Sequence, residues 1–130
     1  MPIVSLYLAL TLLLLVLLAA RVALFRNSNK IGLGTKSNHA LERRVRAHGN
    51  LAEHAPFALL ALAVLEYQAQ PAWLLHTLGA SFVLARLLHA QGLHQSSGYS
   101  FGRFFGTLLT WLMLLGCAAL LLAFAGGYRL

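Results

Sequence analysis

Residues Arg43-Arg44-Val45-Arg46-Ala47-His48-Gly49-Asn50-Leu51-Ala52-Glu53-His54-Ala55-Pro56-Phe57 run from charge straight into an apolar stretch of membrane length. In helical geometry Arg43, Arg46, Asn50 and Glu53 fall three or four positions apart and share one face. Guanidinium groups, an amide and a carboxylate therefore project together from the mouth of a transmembrane helix. Charge is expensive at that depth, so the cluster reads as a functional polar site whose members need partners.

The rest of the chain supports a membrane setting. Its 130 residues are 59% apolar and 10% charged, far too apolar for a soluble domain of that size. Residues 1–20, 67–85 and 104–128 carry no charged side chain. A span of the hydrocarbon takes about 20 apolar residues. The pattern predicts four transmembrane helices, at roughly 3–25, 41–67, 72–93 and 103–125, forming one all-α domain over residues 1–130. A cleaved signal peptide is the alternative for the first helix, with Ala19-Ala20 as a weak cleavage site. No positive charge precedes the apolar run, however, and the run is long for a signal, so a retained helix is expected.

The net charge of +7 does not point to nucleic acid. Seven of the ten Lys and Arg lie between Arg21 and Arg46, and Arg103 borders the third loop, whereas the second loop, from Glu66 to Pro71, has none. This asymmetry places the first and third loops in the cytoplasm and both termini opposite, with only Arg129 against it. Basic juxtamembrane residues favour anionic lipid headgroups, and membrane lipids are the expected surroundings. Cys117 is the single cysteine, so no intrachain disulfide can form, and its place in the fourth helix suits packing.

Along the chain, the leucine-rich first helix reads as lipid-facing, with Arg21 snorkelling at its cytoplasmic end. Gly32 and Gly34 supply turns in the loop from Asn27 to Asn38. Ser37 or Asn38 is placed to cap the second helix, and Glu42 complements its dipole. Pro56 predicts a kink. Trp73 fits an interfacial belt at the start of the third helix. A Gly/Ser loop is expected from Gly92 to Gly102, after which Arg103 opens the fourth helix. No internal repeat or heptad stands out.

The second and third helices run in opposite directions, so Glu53 and Arg86 are expected at one level, where a bridge between them would fix packing. A bridge needs one arginine, and here Arg46, Asn50, His89 and Arg103 converge as well. That surplus suits a small ligand bearing carboxylates, with Glu53 available for an ammonium group. Arg43 and Arg44 read as headgroup contacts, and His48 lies on the far side of the helix from Asn50. His54 either lines the site or packs, His76 lies toward the outer leaflet, and His39 and His94 sit in loops. None of these histidines has metal-site spacing, so no metal is expected.

The stretch Arg43-x-x-Arg46-Ala47-His48-Gly49-Asn50-x-x-Glu53-x-x-Pro56-Phe57 resembles the second-helix signature of the MAPEG family, the membrane-associated proteins in eicosanoid and glutathione metabolism. Ala85-Arg86-Leu87-Leu88-His89 resembles its third-helix segment, and length and helix number extend the likeness over nearly the whole chain, closest to the uncharacterised bacterial branch. The resemblance implies a four-helix bundle assembling as a homotrimer. It further implies glutathione as cosubstrate between subunits near the cytoplasmic face, and lipophilic substrates arriving from the bilayer. By motif, Arg46, Asn50 and Glu53 would hold the polar ends of glutathione. Arg86 and His89 would support it, and Arg103 would stand beside the thiol and favour the thiolate. The chain departs from active members in having Leu93 and Thr107 where several carry tyrosines. Gly32-Leu33-Gly34-Thr35 replaces a Gly-Asp-Gly-Gly-like stretch.

The expected function is therefore a thiol-binding membrane protein, with transferase or peroxidase chemistry on lipophilic electrophiles or hydroperoxides, in a bacterial inner membrane. The alternative is a non-catalytic lipid-binding or scaffold protein of the same fold. A small multidrug transporter also has four helices, but the first helix here lacks the glutamate typical of that class.

Overall fold

Each of the four stretches becomes a single helix. The computed structural model describes residues 1–95 and 98–127, with α1 over Pro2–Ser28, α2 over His39–Tyr67, α3 over Ala72–Gln95 and α4 over Phe101–Ala125. Among the described residues there is no strand. The helices are 24 to 29 residues long, or roughly 36–44 Å at about 1.5 Å per residue, enough to cross a hydrocarbon layer of about 30 Å. α1 and α4 are apolar enough to do so on composition alone. Leu13, Val16, Leu115 and Leu122 face outward and are each at least 65% exposed on the chain, a surface suited to acyl chains rather than water.

Between the helices lies a core that includes Leu51, Leu62, Leu75, Phe82, Met113 and Cys117. Cys117 is buried, with its Sγ 4.0 Å from Met113 Sδ. α2 begins at Asn38, whose side chain accepts from Leu41 N at 3.0 Å, so of the two candidate caps it is Asn38 that serves. Glu42 follows in the first turn, and the helix continues through Pro56.

α1 is less purely lipid-facing than its leucines suggest, because a stripe of Tyr7, Thr11 and Leu18 is buried. Two anchors hold it at the end near the second loop. The Glu66 carboxylate at the end of α2 accepts from Ile3 N at 3.0 Å and Val4 N at 2.7 Å. It thereby satisfies orphan donors in the first turn of α1, which has no side-chain cap of its own. Tyr7 Oη donates to the His76 carbonyl at 3.0 Å, and its ring packs where a Cβ at residue 79 would stand, so Gly79 is required.

α3 and α4 pack most extensively, and small residues explain why. A Cβ at Gly106 would lie 2.6 Å from the Ala85 carbonyl oxygen and 2.7 Å from His89 N, and one at Gly102 would lie 2.5 Å from the Leu88 carbonyl oxygen. Gly102, Gly106 and Thr110 recur every fourth residue, the small-residue spacing that lets membrane helices approach closely. The expected loop from Gly92 to Gly102 is accordingly shorter. α3 extends to Gln95 and α4 starts at Phe101, so Gly92 and Gly102 belong to helices and touch one another. Ser96, Ser97 and the contrary charge Arg129 lie outside the described residues.

Candidate functional site

The polar residues gather at the end of the bundle carrying the first and third loops, in two groups separated by α2. The inner group is built on Arg86, which α3 turns into the bundle with 3% exposure. Its Nη1 donates to Asn50 Oδ1, and its Nη2 donates to Thr110 Oγ1 and, at 2.9 Å, to the Gly106 carbonyl. Thr110 Oγ1 in turn donates to that carbonyl at 2.8 Å. One guanidinium thus ties α2, α3 and α4 together through neutral oxygens, and its buried Nε has no partner.

The expected Glu53–Arg86 bridge is not formed. Asn50 and Glu53 are three residues apart, about 60° around the helix. Asn50 is turned far enough inward to meet Arg86, and Glu53 is left outside. The close approach allowed by Gly102 and Gly106 brings a carbonyl and a hydroxyl to the place where a carboxylate was expected. Glu53 instead pairs with Arg46, Nη1 to Oε1 at 3.6 Å, with both side chains more than half exposed.

Arg86 also sets the chemistry Asn50 presents. A guanidinium only donates, so the Asn50 oxygen must face it, leaving the amide NH₂ as the free donor. Asn50 is half-buried beside exposed Arg46 and Glu53. The outer face of α2 therefore offers a cation, an amide donor and a carboxylate in a row. His54 Nδ1 lies 2.8 Å from the Asn50 carbonyl, so this histidine is held on its own helix.

His89 is buried, with Arg86, Arg103, His54 and Arg46 as its charged or polar-ring neighbours. Arg103 lies in the first turn of α4, where Ser100 caps the helix by accepting from Arg103 N. Its Nη1 donates to the Gly98 carbonyl. It borders two hollows. One, of about 320 Å³, is polar and is lined also by His39, Glu42, Arg43, Arg46 and Leu93. The other, of about 590 Å³, is open and largely apolar, with His89, Tyr99, Phe104, Thr107, Leu108 and Trp111 among its walls.

Arg46, Arg103 and, through the second hollow, His89 are thus brought to one region. Asn50 and Glu53 share the face of Arg46, while Arg86 stands behind Asn50 and does not reach the outer face. Thr110 and Gly106, as partners of Arg86, escaped the sequence reading. Their four-residue spacing from Gly102 is the signal that could have found them. Arg43, expected at the headgroups, lines the polar hollow. His94 belongs to the last turn of α3, and His39 opens α2, within 3.6 Å of Glu42. Among the described residues no three His, Cys, Asp or Glu side chains gather as a metal site.

The outer face of α2 continues beyond the polar group. Arg46, Asn50, Glu53, Phe57, Leu60, Val64 and Tyr67 are spaced alternately four and three apart, and Phe57, Leu60 and Tyr67 are 69%, 65% and 83% exposed. This is the seam spacing of associating helices. It does not stand out as a heptad in the sequence because its inner half is polar and its outer half apolar.

A four-helix membrane bundle with Arg-x-x-x-Asn-x-x-Glu on its second helix and Arg-x-x-His on its third defines a class, and comparison with known proteins agrees. The sequence profile of the MAPEG family matches residues 4–123, and the chain belongs to that family. The inner membrane protein YecN of Escherichia coli strain K12 is 29% identical to it over 90 residues, 69% of each chain. YecN of E. coli O6:H1 matches to the same extent.

Proposed function

We propose that this protein binds glutathione, or a similar low-molecular-weight thiol, at its basic end and presents the sulfur to lipophilic electrophiles or hydroperoxides. One observation carries the reading: Arg103 stands on the border between a cationic polar hollow and an apolar, aromatic one. Glutathione needs such a border, having two carboxylates, one ammonium group and a thiol. Arg46 and Arg43 suit the carboxylates, Asn50 offers its amide N–H, and Glu53 suits the ammonium. Arg103 at the junction would favour the thiolate, the reactive form. His89 and the aromatic walls would shape the space for the second substrate. Arg86 acts at one remove, by orienting Asn50.

The exposed seam on α2 supports a homotrimer in which this face meets its copies, so that the Arg46–Glu53 row lies between subunits. The family and the likeness to an inner membrane protein support a bacterial inner membrane as the location. A non-catalytic binding protein is the second reading, favoured by Leu93 in the polar hollow and Thr107 in the apolar one, where a phenol would aid turnover. Tyr99 is the one phenol lining the apolar hollow.

Calorimetry with glutathione on the detergent-purified protein tests the reading. Saturable binding is expected in the wild type, weakened about tenfold or more in Arg46→Ala and Arg103→Ala. No binding at millimolar glutathione overturns it. Binding without turnover of model electrophiles or hydroperoxides selects the second reading.

A further inference from the structure

Around α2 from the exposed seam, toward α1, the helices α1, α2 and α3 border two adjoining hollows of about 180 and 460 Å³, which share Leu18, Arg21, Ala90 and His94. Their upper rim is cationic, with Arg21, Arg43 and Arg44, and the His94 ring lies beside them. Their lower walls are Leu14, Leu17 and Leu87. Leu17 and Leu14 precede Arg21 by one and two turns on α1. Leu87 precedes His94 by two turns on α3, which runs in the same direction as α1, so both helices place a polar group at the headgroup end and hydrocarbon about 10 Å deeper. Leu17 and Leu87 are 63% and 48% exposed, so the groove opens sideways to the bilayer.

The charge balance shows that this rim is incomplete. The chain has three acidic side chains, and each is engaged elsewhere. Glu66 caps α1 at the far end, Glu53 pairs with Arg46 on the outer face of α2, and Glu42 lies 3.6 Å from His39 Nδ1. Among the described residues neither Arg21 nor Arg44 has a carboxylate partner. Arg44 is nonetheless held in place, donating to the Ala40 carbonyl at 2.7 Å and lying 4.1 Å above the Phe25 ring. A positioned guanidinium without a protein counter-ion, above an apolar slot, matches an anionic phospholipid in both charge and shape.

We infer that the α1–α3 groove is a specific site for an anionic phospholipid of the cytoplasmic leaflet, its phosphate held by Arg21 and Arg44 and an acyl chain lying along Leu14, Leu17 and Leu87. The groove adjoins the thiol site, sharing Arg43 and Leu93 with the polar hollow. Arg21 and Arg44 line neither thiol hollow, so the inference stands whether or not that reading holds.

Native mass spectrometry of the full-length protein tests this, with phosphatidylglycerol and phosphatidylcholine offered in turn. Phosphatidylglycerol is expected to be retained preferentially. With about fivefold per arginine at a membrane surface, Arg21→Gln/Arg44→Gln should lose roughly 25-fold in its retention. Arg26→Gln, at the same end but bonded to the Gly34 carbonyl, should leave it unchanged. Leu87→Trp, on the lipid-facing wall, should block the slot with every charge intact, which keeps the test decisive if the double variant fails to fold. Equal retention of both lipids, or an equal loss in Arg26→Gln, means diffuse electrostatics and overturns the inference. So does undiminished phosphatidylglycerol binding in Leu87→Trp.

Discussion

Arg86 and Arg46 lie at the same end of the bundle and behave in opposite ways. Arg86 is buried among an amide, a carbonyl and a hydroxyl and joins three helices. Arg46 is exposed and faces a carboxylate at 3.6 Å. A guanidinium without a carboxylate inside a bundle acts as a clamp made of dipoles, whereas one paired loosely at the surface can exchange its partner for a ligand. Asn50 links the two, because its oxygen belongs to the clamp and its N–H is left for the open face. The contrast separates what holds the fold from what is free to bind.

The comparison breaks most clearly at the clamp. Arg86→Ala would strand the Asn50 oxygen and remove the bonds to Thr110 and the Gly106 carbonyl, and is expected to cost about 3 kcal/mol, read from unfolding in detergent. Arg86→Lys should recover only part of this, since an ammonium lacks the fork that meets acceptors on two helices. An unchanged midpoint in Arg86→Ala would refute the clamp. Gly106→Ala attacks the same geometry from α4. Its Cβ would force α3 and α4 apart, for a loss of about 1–3 kcal/mol.

A third variant probes the far end. Glu66→Gln removes the charge from the cap over the first turn of α1, for an expected loss of about 0.5–1 kcal/mol, with no change in thiol binding. A binding defect there would show that the two ends are coupled.

The smallest effect on stability belongs to the open face. Glu53→Gln should shift unfolding by less than about 0.5 kcal/mol, because the exposed pair contributes little. Under the proposed function it should still impair thiol binding. A large stability loss with intact binding would reverse the roles assigned to the two arginines. Under the proposed trimer, Leu60→Glu, on the apolar half of the same face, should lower the assembled mass in detergent without unfolding the helices.

Much of the fold was legible because the signals were local. The leucine runs, the Asn38 cap with Glu42 behind it and the charge-free stretches each act within one helix. The polar residues of the site were legible too, since a charge near the mouth of a membrane helix needs a reason to be there. Their pairing was not. Glu53 and Arg86 are at similar depth, and depth can be read from a sequence, but rotation about the helix axis depends on how closely α3 and α4 pack. Gly102, expected at the edge of a loop, and Gly106, within the expected fourth helix, make that approach possible.

The sequence by itself determined an all-α membrane protein, the end at which its charge collects and the family signature on α2 and α3. Helix periodicity and hydropathy are properties of neighbouring residues and need no partner. Only the tertiary structure decided that Arg86 turns inward to neutral oxygens, that Glu53 stays outside with Arg46, and that Arg103 divides a polar hollow from an apolar one. Those outcomes depend on contacts between residues 20 to 60 positions apart, which side chains reach only after glycine-lined helices have closed on one another.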